Sequence, residues 1–261
     1  MSALDIVRKG YIKELLAKGQ REDSRGMLDF RKISIKTGII DHAEGSAQVD
    51  LGNTRVLAGV KVVIEEPKPD TPNQGNLVMS AELLPLANAD YETGPPSPDA
   101  IELARVVDRG IRAGNCLDLE SMFIEEGKAW SAYIDLYILN YDGNLFDACE
   151  IAAMAALSIT KMPSYSDGAA DYSKRDKPAK INTIVTSTTF GKIDGKLVLD
   201  MTGTEEDAAD ARLTIETDGS VIRAMQKGLS GAFSADEIKG LINESFKKHA
   251  ELRKLIEESV R

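Results

Sequence analysis

The chain has 261 residues and a formal net charge of −10, which argues against broad, sequence-independent nucleic-acid binding by this chain alone, because that needs a net basic surface. A hydrophobic content of 43% can fill a sizeable core and excludes disorder as a description of the whole chain. Cys116 and Cys149 do not form a Cys-x-x-Cys pair, no 18-residue apolar run occurs, and the first residues lack the core of a signal peptide. The expectation is a soluble cytoplasmic protein in a reducing compartment, without membrane contact, with both thiols as small buried residues.

Leu4, Val7, Tyr11, Leu15 and Leu16 recur at helical spacing and predict a helix over 3–18 that ends at Gly19. The polar loop 20–31 carries Arg21, Asp23, Arg25 and Arg31, read mainly as solvated charges, with a functional role as the alternative. From residue 32 the period changes to two. Ala47, Val49 and Leu51 alternate, Gly52-Asn53 turns the chain, and Val56 to Ile64 is apolar on both faces. This predicts a hairpin over 46–64 whose second strand is central in its sheet. An exposed loop rich in proline and glycine follows at 65–76, then a strand at 77–84.

Residues 130–140 read as a strand, 141–144 as a turn and 145–160 as an alanine-rich helix suited to close packing. The polar stretch 162–180 divides the fold. Beyond it, strands are expected at 181–190, 196–201, 213–216 and 220–225, with an acidic loop or helical turn at 203–210. Ser234 to Glu237 is a capping box that opens a long last helix. Strands followed by a helix, twice over, give an α+β class with an internal pseudo-repeat. One domain over 1–261 is expected, in halves of about 20–160 and 181–261 behind the first helix.

Residues 94–112, GPPSPDAIELARVVDRGIR, hold the most pointed pattern. Pro95, Pro96 and Pro98 fix an extended entry, and Asp99 lies in the first turn of a helix. At 100° per residue Leu103, Val106, Val107, Gly110 and Ile111 share one face. Arg105, Arg109 and Arg112 fall within an arc of roughly 60° on another. An aligned row of guanidinium forks suits a run of phosphates. The same pattern is met by the wet face of an amphipathic helix, its arginines tied to Glu102 and Asp108.

Other chemistry finds less footing. His42 and His249 are far apart, with no Cys/His cluster of zinc spacing, so no metal site is expected. There is no nucleophile elbow, Walker loop or dinucleotide fingerprint. Glu205, Glu206, Asp207 and Asp210 could serve Mg²⁺, but favourable charge at a helix start is the simpler reading. The loop 226–234, with Gly228, Ser230 and Gly231, is a weak phosphate cradle at best.

Five segments, 44–61, 69–87, 94–112, 141–148 (YDGNLFDA) and 197–206 (LVLDMTGTEE), together resemble the RNase PH family over nearly the whole chain. The run ELARVVDRGIR is most similar to the non-catalytic RNase PH-like subunits of the archaeal exosome. The resemblance implies an RNase PH-like fold of mixed β-sheets packed with helices. Catalytic members carry two acids six residues apart. Laid on this chain, the first falls at Glu206 and the second at Arg212, or at Asp207 and Leu213 in the neighbouring register. Either way an acid is missing, so the resemblance implies no catalytic residue here.

It also implies that Arg105 and Arg109, with Arg112 on the same side, grip single-stranded RNA beside a partner's active site. That partner would be a catalytic RNase PH-like subunit alternating with this chain in a six-membered ring, three copies of each. A cap of RNA-binding subunits would sit on one face. Inorganic phosphate, with Mg²⁺ as a candidate, would act at the partner's site, and no cofactor in this chain. The alternatives are a self-sufficient phosphorolytic 3′-to-5′ exoribonuclease and, without the resemblance, a small-molecule enzyme using the acids of 203–210.

Overall fold

The computed structural model describes residues 3–166 and 168–260. The chain opens with α1 (Ala3–Ala17) and then crosses the loop 18–32 to β1 (Ile33–Thr37), β2 (Gly45–Leu51), β3 (Thr54–Glu65) and β4 (Asn76–Leu83). Next come α2 (Pro98–Ala113), a 3₁₀ turn at Glu120–Met122, β5 (Phe123–Glu125), β6 (Lys128–Asn140) and α3 (Leu145–Ser158). Four short strands, β7 (Lys161–Met162), β8 (Ser164–Ser166), β9 (Ala169–Asp171) and β10 (Lys177–Pro178), fill the dividing stretch. The second half holds β11 (Thr186–Ile193), β12 (Lys196–Leu199), α4 (Gly203–Ala208), β13 (Ala211–Thr217), β14 (Ile222–Gly228) and α5 (Ala235–Ser259).

The larger sheet runs β1-β2-β3-β6-β4, with β5 beside β6. Its β2–β3 hairpin turns at Gly52-Asn53, where Leu51 pairs with Thr54, and β3 is the middle strand of the five, as its two-sided apolar pattern requires. The smaller sheet runs β12-β11-β13-β14, all antiparallel. Helix α3 lies between the two sheets, against β2, β3 and β11. From Phe146 to Leu157 every residue of α3 is buried, and its alanines let both sheets approach. One apolar cluster joins the large sheet, α2, α3 and Leu252 and Ile256 of α5. At about 25 cal/mol per Å², each large side chain buried there, such as Ile151 or Met154, contributes about 1.5–3 kcal/mol.

Some expectations shift. The inner face of α1 is Ile12 and Leu16, whereas Val7 and Tyr11 are 68% and 50% exposed; the side chain of Leu4 lies outside the described residues. The buried stripe is narrower than the periodicity predicts because Ile12 and Leu16, one turn apart, are the α1 residues that meet Ile193, Val198 and Met201 of the second half. Strand β11 starts at Thr186, later than expected; Ile181 makes an isolated bridge to Leu117 and the Asn182 amide donates to the Cys116 carbonyl instead. The acidic stretch forms α4, whose N-cap is Thr202 in a capping box with Glu205. The turn before α3 closes at Gly143, φ 80°, where a Cβ would stand 2.3 Å from the carbonyl oxygen of Met201.

Candidate nucleic-acid interface

Helix α2 begins where its sequence says it should. The Ser97 hydroxyl accepts from the Ala100 amide (3.2 Å), Pro98 occupies the first turn, and Asp99 adds negative charge to it. Leu103, Val106, Val107 and Ile111 face the core. Gly110 lets the helix sit close to β13: a Cβ there would come within 2.5 Å of the Glu216 carboxylate.

The three arginines are exposed on the other face, but their circumstances differ. Among the described residues Arg105 makes no hydrogen bond or ion pair. Arg109 donates once, from Nη1 to Gln226 Oε1 (3.2 Å). Arg112 is held by Asp108 at 2.8 Å and also donates to the Leu77 carbonyl on β4. The wet-face reading is therefore right for the Arg112–Asp108 pair and wrong for Glu102, which takes Arg212 of β13 instead (2.8 Å). Arg105 and Arg109 remain available to an anion; Arg112 would have to leave a partner first.

Behind Arg109 lie two buried carboxyls, Glu150 and Glu216. Both oxygens of Glu150 and of Glu216 are buried without hydrogen-bond partners among the described residues. Burial pushes the Glu216 carboxyl up to about 8; Arg109 pulls the other way and Asp147 adds to the rise. Glu150 is raised by burial, then by Glu216 and Asp147. These interior acids do not stand out in the sequence. Their signal is faint: Glu150 is an acid inside an alanine-rich apolar helix, and Glu216 closes the expected strand 213–216 with no motif around it.

The degenerate pair, Glu206 and Arg212, meets at one small cavity of about 170 Å³, also lined by Tyr91, Tyr141 and Phe146. Glu206 accepts from the Tyr141 hydroxyl (2.6 Å) and from the Asn144 amide (2.8 Å). Burial raises its carboxyl, opposed by those two hydrogen bonds and by Arg212 and Arg31. Burial first, then the Glu206 charge, raises the Tyr91 and Tyr141 hydroxyls. The Arg212 guanidinium lies 4.2 Å over the Phe146 ring. Asp99 and Glu102 line the same cavity, but Glu102 is paired with Arg212 and Glu206 is bonded to Tyr141 and Asn144, so Arg212 sits among these acids as a cation where the resemblance calls for a second catalytic acid.

The rest of the acidic run points apart. Glu205 turns inward to Arg21, and Asp210 accepts from the Asp194 amide (2.7 Å). Among the described residues no group of three or more His, Cys, Asp or Glu side chains could hold a metal ion. In the 226–234 loop the Gly231 and Ser234 amides already donate, to the Asp210 carbonyl and to Glu237. His249 is buried against the Thr186 hydroxyl at 3.0 Å. Both cysteines are free and buried, and burial pushes the Cys116 thiol up to about 12.

The loop arginines correct the sequence reading most. Arg21 is buried and forks onto Glu205 (2.5 and 2.9 Å), while donating to the Leu199 and Asp200 carbonyls. Arg31 forks onto Asp200 (2.7 and 2.9 Å), and Arg25 bridges Asp23 and Asp200. They are neither solvated nor free for a ligand. They fasten the loop 18–32 to the second half.

Two family models match the chain: 3′ exoribonuclease family, domain 1, over residues 29–163, and domain 2 of the same family over 183–248. The exosome complex component Rrp42 of Pyrococcus furiosus is 45% identical over 256 residues, covering 96% of this chain and 92% of the relative. That of Methanothermobacter thermautotrophicus is 41% identical over 261 residues, covering 98% and 96%. A chain in the structure of the Archaeoglobus fulgidus exosome with RNA bound to the active site superposes with a TM-score of 0.91 at 38% identity, covering 97% of this chain and 99% of that one. Rice Rrp46, at 17% identity and a TM-score of 0.71, shares the fold. No helix among the described residues is long and apolar enough to cross a membrane. The chain belongs to the 3′ exoribonuclease family of RNase PH-type proteins.

Proposed function

We propose that this member of the 3′ exoribonuclease family is a non-catalytic core subunit of an archaeal exosome, a complex that degrades RNA phosphorolytically from its 3′ end. It binds RNA and helps shape the active site of a catalytic RNase PH-like partner, with which it alternates in a hexameric ring in the cytoplasm. The cap subunits, the inorganic phosphate and any Mg²⁺ belong to the rest of the assembly. The observation that carries the reading is the contrast on either side of Glu102. Arg105 and Arg109 stand exposed and outside any ion pair among the described residues, while Arg212, where a second acid would be needed, is locked onto Glu102.

The division of labour follows from chemistry. Arg105 and Arg109, about one helical turn apart, can each take a phosphate of one strand, because successive phosphates lie at similar spacing. They position the strand and carry no base information. Proton transfer and any metal chemistry need an acid pair, which Glu206 and Arg212 do not form. The test is to incubate the chain alone, and then with an RNase PH-like partner, with 3′-labelled RNA, phosphate and Mg²⁺. Nucleoside diphosphates are expected only when the partner is present. Their release by the chain alone would replace this reading with the self-sufficient nuclease.

A further inference from the structure

Arg109 differs from Arg105 in having one neutral neighbour that holds it. Gln226 lies on β14, opposite Thr214 of β13, and its half-buried side chain sits under α2. Its Oε1 accepts from Arg109 (3.2 Å) and its Nε2 donates to Glu102 Oε1 (3.3 Å). Glu102 is fixed in turn by Arg212 at 2.8 Å, itself packed on Phe146. The amide cannot be turned over, since its NH₂ would then face a guanidinium and its oxygen a carboxylate. Glu102 and Arg109 are seven residues apart on one face of α2, and their side chains reach the Gln226 carboxamide from either side.

We infer that Gln226 is a positioning residue for Arg109, orienting its guanidinium toward an RNA phosphate before the RNA arrives. The inference rests on the proposed role of Arg109 in RNA binding. A neutral amide is suited to such positioning. It restrains a long, rotamer-rich side chain without neutralising its charge, so less ordering is left to the moment of binding. Asp108 does the opposite for Arg112, fixing it and cancelling its charge. Arg212, which breaks the catalytic pattern, thereby acquires a role of its own, holding the far end of the bridge that sets Arg109.

The experiment uses the assembled ring and a fluorescently labelled oligoadenylate RNA. Gln226→Ala removes the bridge, and Gln226→Met removes its polar atoms while keeping its length. Both are expected to weaken RNA binding ~3- to 10-fold, with assembly and melting temperature unchanged. In an Arg109→Ala background neither should weaken binding further, and a merely structural role would not produce that coupling. Loss of affinity in Arg109→Ala with none in either Gln226 variant overturns the inference, as does an equal loss in both backgrounds. Unchanged affinity in Arg109→Ala would instead overturn the reading beneath it.

Discussion

Arg21 and Arg31 lie buried against Glu205 and Asp200, whereas Arg105 and Arg109 stand exposed on α2 and form no ion pair among the described residues. Both groups are arginines in polar-looking stretches of an acidic chain. The loop group has been supplied with acids at bidentate distance, and further donation to backbone carbonyls satisfies the remaining N–H groups. Such a group is committed to the fold, because removing either partner strands a buried charge. On α2 the nearby acids are drawn elsewhere, Glu102 to Arg212 and Asp108 to Arg112. An arginine whose charge is left unpaired by its own chain is the kind that can serve another molecule.

The largest expected effect sharpens the buried side of this contrast. Arg21→Ala leaves Glu205 buried with the Thr202 amide and the more distant Arg25 guanidinium (3.9 Å) and should cost about 3 kcal/mol in urea denaturation. A variant as stable as the parent would break the comparison, for Arg21 would then be no more committed than Arg105.

The next effect concerns the acids under Arg109. Glu216 has its carboxyl raised in the fold from an ordinary 4.5 to about 8. Below the lower value both folded and unfolded chains hold the proton, and ionisation costs nothing. As pH rises from there toward 8 the unfolded chain releases a proton that the fold retains, so stability falls, and above 8 the loss is complete. Glu216→Gln should therefore be stabilising by several kcal/mol at pH 8.5, with little effect near pH 4.5. Thermal melting across that range checks it. A pH-independent difference would show that Glu216 is not a carboxyl held neutral by burial.

Much of this is legible in the residues themselves. The prolines and Asp99 announce α2, the change of period announces the β2–β3 hairpin, and Ser234 and Glu237 announce α5, because caps and periodicity act within a few residues. The fate of each arginine is not legible, because it depends on partners far along the chain: Glu205 lies 184 residues from Arg21. Likewise, that Glu102 prefers Arg212 over its own helix is a fact of packing across 110 residues. The same distance hides Gln226, a strand residue with no motif around it, and the buried pair Glu150 and Glu216.

The most direct measurement of the central claim is the salt dependence of RNA affinity for rings assembled with Arg105→Glu and Arg109→Glu in this chain. Stability should stay within about 0.5 kcal/mol of the parent, as for exposed substitutions generally. RNA binding should weaken, and the slope of log K against log salt should become shallower by roughly 0.7 for each phosphate no longer neutralised. Identical affinity and slope in parent and variant rings would contradict the account.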